Sequence, residues 1–280
     1  RDGYNVNGKD RLGQEGYITD ELSQFTLEWL NQRKSEKPFF LYVSHKAAHA
    51  DFIPAERHAY RYKDQKLPVH KDWKGNKVIE QGKPLWVQNQ RNSRHGIEYA
   101  YYTHLDMEQY YQRYCETLLA VDDSVGELMH WLDESGESEN TLVLYMGDNG
   151  FLFGEHGLID KRNAYEESMR IPLMVKFPGV VSKGLKVPSM VANIDIAPTL
   201  LDVAGVRIPE HMDGRSFSPM LKGKNTPWRQ YLLYEYFWER NYPQTPTTHS
   251  LRGDRFKYIR YHGIWDKDEL YDLESDPDEL

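Results

Sequence analysis

The fold of this chain is best inferred from the stretch Thr141-Leu142-Val143-Leu144-Tyr145-Met146-Gly147-Asp148-Asn149-Gly150. Its first six residues are a short apolar run, which predicts a buried β-strand. Asp148 and Asn149 follow where that strand runs out into a glycine-rich loop. Ligand sites of open α/β sheets form at the carboxyl ends of strands, so these side chains are candidate ligands of a hard cation. Asp-Asn-Gly is also a common tight turn, which is the competing interpretation of the tripeptide alone.

The same loop carries a histidine and a lysine, His156 and Lys161. An imidazole and an ammonium near oxygen ligands predict a metal-assisted site for an anionic group. A second polar cluster holds His45 and His49 and follows a predicted strand at residues 38–44. Loop histidines of this kind are either exposed to solvent or functional, and the residues alone leave both possibilities open.

Helical and strand-like segments alternate along most of the chain. Apolar spacing predicts amphipathic helices at 17–32 and 114–132, and a further core strand at 172–177. This alternation predicts an α/β fold with a mainly parallel sheet sandwiched by helices. Strand-like segments then follow one another without helices, which predicts a small antiparallel C-terminal subdomain. The expected domains are therefore 1–224 and 225–280.

Composition excludes several classes of protein. The chain has 280 residues, a net charge of −8 and 39% hydrophobic residues, as expected of a globular protein. An acidic balance argues against a nucleic-acid partner, for which a basic face is needed. The sequence holds no apolar run of the roughly 18 residues that a transmembrane helix needs. The only cysteine, Cys115, excludes an internal disulfide.

Three segments resemble the sulfatase family, the formylglycine-dependent sulfate ester hydrolases of the alkaline phosphatase superfamily. The string GDNGFLFGEHGLIDKRNAYEESMRIPLMVKFPG at 147–179 is similar to the family's metal-binding segment. FFLYVSHKAAHADFIP at 39–54 looks like the segment that places a histidine against the sulfate, although Ala48 stands where the family has proline. ELYDLESDP at 269–277 resembles a string near the family's C-terminus. The resemblance implies an alkaline phosphatase-like fold.

The resemblance also implies roles for individual residues. Asp148 and Asn149 would be two ligands of one Ca²⁺ ion, and Lys161 would contact the sulfate. His49 would act with Lys161 to stabilise developing charge and protonate the leaving alcohol, a task that suits an imidazole. His45 is the less suitable holder of that role. His156 is expected to contact substrate, with a structural hydrogen bond inside the loop as the alternative.

The family nucleophile is a formylglycine made from cysteine in a Cys-x-Pro-Ser-Arg context, and Cys115 lies in a different one. A buried helical cysteine is usually core filler. The paired aspartates that complete the family's calcium site are not identifiable either, since adjacent side chains such as Asp122 and Asp123 point in different directions on a helix. The resemblance therefore covers the later part of the catalytic domain. The formylglycine segment is expected upstream, and the isolated chain is predicted to be inactive.

Within the family, the C-terminal aromatic segments and the loop before His249 look like glucosamine-6-sulfatases that act on glycosaminoglycan or mucin sugars. His249 is then expected to bind substrate in a sugar subsite. The predicted function is calcium-assisted removal of sulfate from a sulfated sugar or aryl ester. The alternatives are a phosphatase or phosphodiesterase of the same superfamily, and a non-catalytic calcium- or glycan-binding fragment. By family resemblance a periplasmic or secreted location is expected.

Overall fold

A computed structural model describes residues 3–6, 9–12, 14–34, 37–49, 51–66, 82–90, 106–263 and 266–280. The helices are α1 (Ile18–Gln32), α2 (Leu85–Gln90), α3 (Met107–Glu134), α4 (Glu166–Met169), α5 (Ile196–Val203) and α6 (Ser218–Leu221). The strands are β1 (Gly3–Val6), β2 (Lys9–Leu12), β3 (Val143–Met146), β4 (Leu152–Phe153), β5 (Ile159–Asp160), β6 (Leu173–Lys176), β7 (Tyr231–Tyr236), β8 (Thr247–Gly253), β9 (Phe256–His262) and β10 (Glu269–Asp272). No helix in these ranges is both long enough and apolar enough to cross a bilayer.

The chain forms two compact units. One unit comprises Arg1–Pro68 and Asp106–Ser138, and the other comprises Val69–Leu105 and Glu139–Leu280. The predicted boundary at residue 224 stays a prediction. The predicted long irregular segment at 51–108 lies partly outside the described residues.

The first unit is built on helices α1 and α3, beside a β1–β2 antiparallel hairpin. Helix α3 begins where the Asp106 carboxylate accepts the backbone N–H groups of Glu108 and Gln109, at 3.0 and 3.2 Å. This cap satisfies donors that have no partner within the helix. Buried hydroxyls join the two helices, because Ser23 Oγ donates to Ser124 Oγ at 2.6 Å. Both predicted helices are confirmed.

The strand predicted at 38–44 is wrong as a paired strand. Exposure alternates along the segment, but no described residue pairs with its backbone as a strand. Phe40 and Tyr42 are 72% and 79% exposed. Apolar side chains favoured the extended conformation, yet a strand also needs a neighbouring backbone to exchange hydrogen bonds with.

In the second unit, β3 and β6 pair in antiparallel register, with Met146 opposite Leu173. The loop between them thus leaves and returns at the same end of the pair, which makes the strands antiparallel; parallel strands need a crossover to the opposite end. All described strand pairs are antiparallel, so the predicted parallel pairs are not found in this part of the chain.

The predicted antiparallel C-terminal sheet is confirmed. It has four strands in the order β10-β9-β8-β7, and a short connection at Asp254 and Arg255 joins β8 to β9. Alternate residues of β9 face inward, where Ile259 and Tyr261 join a core with Leu152, Leu158 and Tyr165 of the β3–β6 loop. The sheet therefore packs against the loop that carries the candidate ligands.

Candidate active site

The loop between β3 and β6 is fixed close to its start at Gly150. The backbone N–H of Gly150 donates to the carbonyl of Ser168 at 2.9 Å. A Cβ atom at this position would lie 1.9 Å from the carbonyl oxygen of Glu167, so only glycine fits. This close approach holds the residues next to Gly150 against α4, which lies near the other end of the same loop.

Asp148 and Asn149 lie at this fixed start, and both are exposed. The backbone N–H of Asn149 donates to Asp148 Oδ1 at 2.8 Å, and Asn149 Nδ2 donates to the carbonyl of Gly150 at 2.8 Å. This second bond engages Nδ2 and orients the Asn149 carboxamide. One carboxylate and one carboxamide oxygen are hard neutral and anionic donors, so the pair fits a calcium ion. The backbone bends at Asp148 and Asn149 and presents both side chains, and their role as metal ligands stays a prediction.

Lys161 directly follows β5, and its carbonyl accepts a hydrogen bond from Ser168 Oγ. The Lys161 side chain is half-buried, and its ammonium makes no ion pair with any residue in the described ranges. Arg162 differs, because its guanidinium pairs with Asp160 and, at 3.5 Å, with Glu239. Of these two adjacent cations, Lys161 is therefore the one suited to an added anion.

His156 occupies a left-handed turn, with a φ of 55° between Gly154 and Gly157. Its ring is 1% exposed and stacks on Tyr165 with the centroids 3.8 Å apart. Nε2 lies 3.4 Å from Glu167 Oε2, and burial lowers the pKa of the imidazole. A neutral, buried ring bonded within its own loop favours the structural alternative for His156 over the substrate contact, which stays a prediction.

A buried ammonium joins the loop to the C-terminal sheet. Lys257 Nζ, fully buried in β9, contacts the carbonyl of Ala164 at 2.9 Å, Glu166 Oε1 at 2.8 Å and Glu279 Oε1 at 2.6 Å. Burial opposes ionisation of Glu166, but Lys257 and Arg252 outweigh it and lower the pKa of that carboxyl. Sequence analysis missed this network. The sequence did contain a signal for it. Side chains two residues apart on a strand point to the same face, so Lys257 faces inward together with Ile259 and Tyr261.

Glu279 also brings a second carboxylate near His156 and Glu167, and ligand atoms of the three lie within 4.8 Å of one another. Such a group could hold a metal ion by spacing. Lys257 already supplies a positive charge 2.6 Å from Glu279, however, so a metal ion would be repelled there. The exposed oxygens of Asp148 and Asn149 therefore stay the predicted calcium ligands.

A second buried carboxylate, Glu269, accepts hydrogen bonds from the hydroxyls of Tyr165, Tyr261 and Tyr271. Burial and the carboxylate raise the pKa of all three tyrosines, which keeps them protonated as donors. Lys83 Nζ lies 3.6 Å from Glu269 and 4.3 Å from the centre of the Tyr165 ring. Satisfied buried networks of this kind fix a unique packing.

In the first unit the two histidines of the 39–54 segment have different surroundings. His49 is exposed, and its backbone N–H donates to the carbonyl of Lys46 at 3.0 Å. His45 is partly buried, its Nε2 lies 2.9 Å from Ser124 Oγ, and burial lowers its pKa. His45 is thus used in packing α3, which agrees with its being the less suitable candidate. The catalytic role of His49 stays a prediction.

His249 lies on β8, opposite Glu235 of β7. Its Nε2 is 3.4 Å from Glu235 Oε1, and its ring centre is 6.2 Å from that of Phe237. The side chain is 38% exposed, so one face is accessible. Its substrate role stays a prediction.

The structure agrees with the sequence-based interpretation of Cys115, Asp122 and Asp123. Cys115 lies inside α3, and burial raises the pKa of its thiol, which disfavours the nucleophilic thiolate. Asp123 pairs with His58 at 2.7 Å and Arg57 at 2.8 Å, while Asp122 is exposed. Both aspartates are accounted for without a metal ion.

Two family models match the chain. The one described as Sulfatase matches residues 1–206, and the one described as N-sulphoglucosamine sulphohydrolase, C-terminal, matches residues 154–280. The chain is 30% identical over 327 residues to N-acetylglucosamine-6-O-sulfatase of Bacteroides thetaiotaomicron, covering 95% of this chain and 58% of that protein. It is 33% identical over 256 residues to N-acetylglucosamine-6-sulfatase of Bos taurus, covering 88% and 44%.

Solved structures give the same picture of the fold. The structure of BT4656 in complex with its substrate D-glucosamine-2-N,6-O-disulfate matches with a TM-score of 0.80 at 28% identity, over 98% of this chain and 66% of that one. Phosphonate monoester hydrolase of Agrobacterium radiobacter matches with a TM-score of 0.80 at 24% identity, over 93% and 55%. These neighbours confirm the predicted alkaline phosphatase-like class. The chain spans about half the length of the curated relatives it matches.

Proposed function

This chain belongs to the sulfatase family, and from that premise we propose that it forms the later part of a calcium-assisted sulfuric ester hydrolase. The observation that carries the proposal is the loop between β3 and β6. There Gly150 fixes two exposed oxygen ligands in place, and Lys161 follows on the same loop with no ion pair among the described residues. Both features suit the binding of a cation and an anion together.

In this proposal Asp148 and Asn149 bind calcium through a carboxylate and a carboxamide oxygen. When bound, the ion supplies a positive charge that orients and polarises the sulfate oxygens. The turn at Asn149 does the positioning, because the bond from Nδ2 to the Gly150 carbonyl holds the carboxamide in one orientation. Preorganised ligands lose little freedom on binding, which favours affinity.

Lys161 would contact the sulfate and stabilise the charge that develops on its oxygens. Its compact ammonium suits this task, since it needs no fixed planar geometry. His49 would donate a proton to the leaving alcohol as the ester bond breaks. His49 is exposed, so a substrate could reach its imidazole. The family nucleophile would come from sequence outside these 280 residues.

For the substrate we propose a sulfated carbohydrate, in particular a glucosamine bearing sulfate at position 6. The support is that relatives at about 30% identity are named N-acetylglucosamine-6-sulfatases, and that BT4656 was solved with a glucosamine disulfate. His249 would contribute to the sugar subsite through its exposed face.

The test uses the encoded protein that contains this chain and measures sulfate release from 4-nitrocatechol sulfate and from N-acetylglucosamine-6-sulfate. Lys161→Ala should lower kcat by about 10²–10³-fold, the usual loss when one group that stabilises developing negative charge is removed. Lys186→Ala, which changes an exposed lysine outside the loop, is the matched control and should leave kcat unchanged.

Three outcomes would count against the proposal. Equal kcat values for Lys161→Ala and Lys186→Ala would remove Lys161 from the mechanism. Stoichiometric zinc with a preference for phosphate esters would favour the phosphatase alternative, since carboxamides are poor zinc ligands. Turnover by the isolated 280 residues would contradict the expectation that the nucleophile lies elsewhere.

A further inference from the structure

A half-open cavity of about 270 Å³ lies on the C-terminal sheet, within the second unit. Its walls include Trp86, Trp238, Pro243, Gln244, Thr247 and His262. None of these residues takes part in the reaction proposed above. The volume lies just below the range of ligand pockets, which begins at about 300 Å³, so the cavity suits no more than one sugar-sized ring.

The walls combine apolar rings with a few polar groups. Two indoles and a proline ring supply flat apolar surface, while Gln244 and His262 supply a carboxamide and an imidazole. Sugar rings have an apolar face of C–H groups and a rim of hydroxyls. Aromatic faces suit the first and hydrogen-bonding side chains suit the second. The acidic or basic groups that a charged ligand would need are scarce on these walls.

Trp238 is held in position although it is 52% exposed. Its backbone N–H donates to Thr247 Oγ1 at 2.9 Å, and its indole Nε1 donates to the carbonyl of Pro243 at 3.3 Å. The ring is therefore oriented before any ligand arrives, which lowers the entropic cost of binding. One hydrogen bond fixes the backbone of Trp238 and the other fixes its indole, so an exposed aromatic ring is held ready at the cavity wall.

Arg162 ties this wall to the sulfate-binding loop. Glu239, the residue after Trp238, lies 3.5 Å from Arg162 Nε, and the Arg162 guanidinium carbon lies 3.5 Å from the centre of the Tyr242 ring. Arg162 directly follows Lys161 in the chain. The segment that forms the cavity wall is thus fastened one residue away from the lysine assigned to the sulfate.

We propose that this cavity binds a neutral pyranose ring of the sulfated carbohydrate, and that Arg162 is a positioning residue that holds the cavity wall beside Lys161. This inference rests on the proposed function and names the part of the substrate that the C-terminal sheet recognises. Arg162 touches neither sulfate nor sugar in this arrangement. It acts through Glu239 and Tyr242.

Binding is tested without catalysis, by titrating the encoded protein with unsulfated N-acetylglucosamine and recording tryptophan fluorescence. A saturable change is expected in the wild type and should be lost in Trp238→Ala. Trp29→Ala is the matched control, because Trp29 is 46% exposed and lies on α1, outside the unit that contains this sheet. Trp29→Ala should keep the saturable change. Gln244→Ala, expected to weaken binding, is the second variant if Trp238→Ala does not fold.

Kinetics test the positioning role of Arg162. Loss of one aromatic face should raise KM for N-acetylglucosamine-6-sulfate about tenfold in Trp238→Ala, and less for 4-nitrocatechol sulfate. Arg162→Ala should raise KM for the sugar more than it lowers kcat. Arg162→Lys should rescue little, because an ammonium does not reproduce the planar contact with Tyr242.

The outcomes separate this inference from the proposed function. Neutral sugar binding that is equal in the wild type, Trp238→Ala and Gln244→Ala would overturn the inference, as would the absence of any binding to the wild type. Sugar binding that depends on Trp238, in a protein that releases no sulfate, would overturn the proposed function and leave the sugar site standing.

Discussion

The two sides of the β3–β6 loop have similar polar residues and opposite surroundings. At its start, Asp148 and Asn149 are exposed, and their side chains bond only to the adjacent backbone. Farther along, His156 and Glu166 are enclosed by Tyr165 and Lys257. The comparison teaches that a polar residue in a motif is available for chemistry only where the fold leaves it unburied. The buried part of the loop holds the exposed part in position.

The largest expected effect is a loss of stability, and it comes from replacing the buried Lys257. Lys257→Met should lower the free energy of unfolding by about 3–5 kcal/mol, because it leaves the carboxylates of Glu166 and Glu279 buried without their cation. Urea unfolding of the encoded protein measures this. Lys224→Met, at an exposed lysine, is the control and should change stability by less than about 0.5 kcal/mol. Equal losses in both variants would mean that the buried network does not hold the loop.

Stability should be nearly as sensitive to a change at Gly150, which lies between the exposed and the buried part of the loop. Gly150→Ala places a Cβ atom against the carbonyl oxygen of Glu167, and the backbone shift that relieves the clash should cost about 1–3 kcal/mol. Gly126→Ala in α3 is the matched control, since nothing lies within 4 Å of its added Cβ atom. That change should stabilise the helix by about 0.5–1 kcal/mol. Thermal unfolding of both variants checks the opposite signs.

A smaller effect should appear in the pH dependence of stability. Burial lowers the pKa of His156 below its usual 6.5, so the unfolded chain binds a proton at a higher pH than the folded one. The stability that His156 contributes is therefore present above pH 6.5 and is lost as the pH falls below it. His156→Gln can still donate to Glu167 but does not titrate.

Unfolding midpoints of the wild type and His156→Gln between pH 7.5 and 5.5 test this expectation. The wild type should lose up to about 1.4 kcal/mol more per pH unit below pH 6.5. Parallel pH profiles would show that the ring is accessible and protonated in the folded state, and would revive a direct substrate contact for His156.

Sequence patterns predicted much of this arrangement correctly. The apolar run at Val143–Met146, the long helix α3 and the C-terminal antiparallel strands all follow from local periodicity. Periodicity reports which residues share a face, so it finds elements well. It does not report which backbone lies alongside, and this is why the pairing of the 38–44 segment was predicted wrongly.

For the candidate site, the sequence predicted which residues to consider but not how buried they are. A motif names residue types and spacing, and thus identified Asp148, Asn149 and Lys161 as candidates. It could not separate exposed from buried members, because burial of His156 depends on Tyr165 stacking on it. Nor could it find Glu279 as a partner of Lys257, since that contact joins residues far apart in sequence.

Calcium binding by Asp148→Ala tests most directly whether the exposed side of the loop is where the chemistry occurs. Metal content and calcium-dependent thermal stabilisation would be measured for the encoded protein and this variant. We expect one calcium ion in the wild type and none in the variant, whose metal-free unfolding temperature should stay within about 2 °C of the wild type. Calcium bound equally by both proteins would contradict the assignment of Asp148 and Asn149 as its ligands.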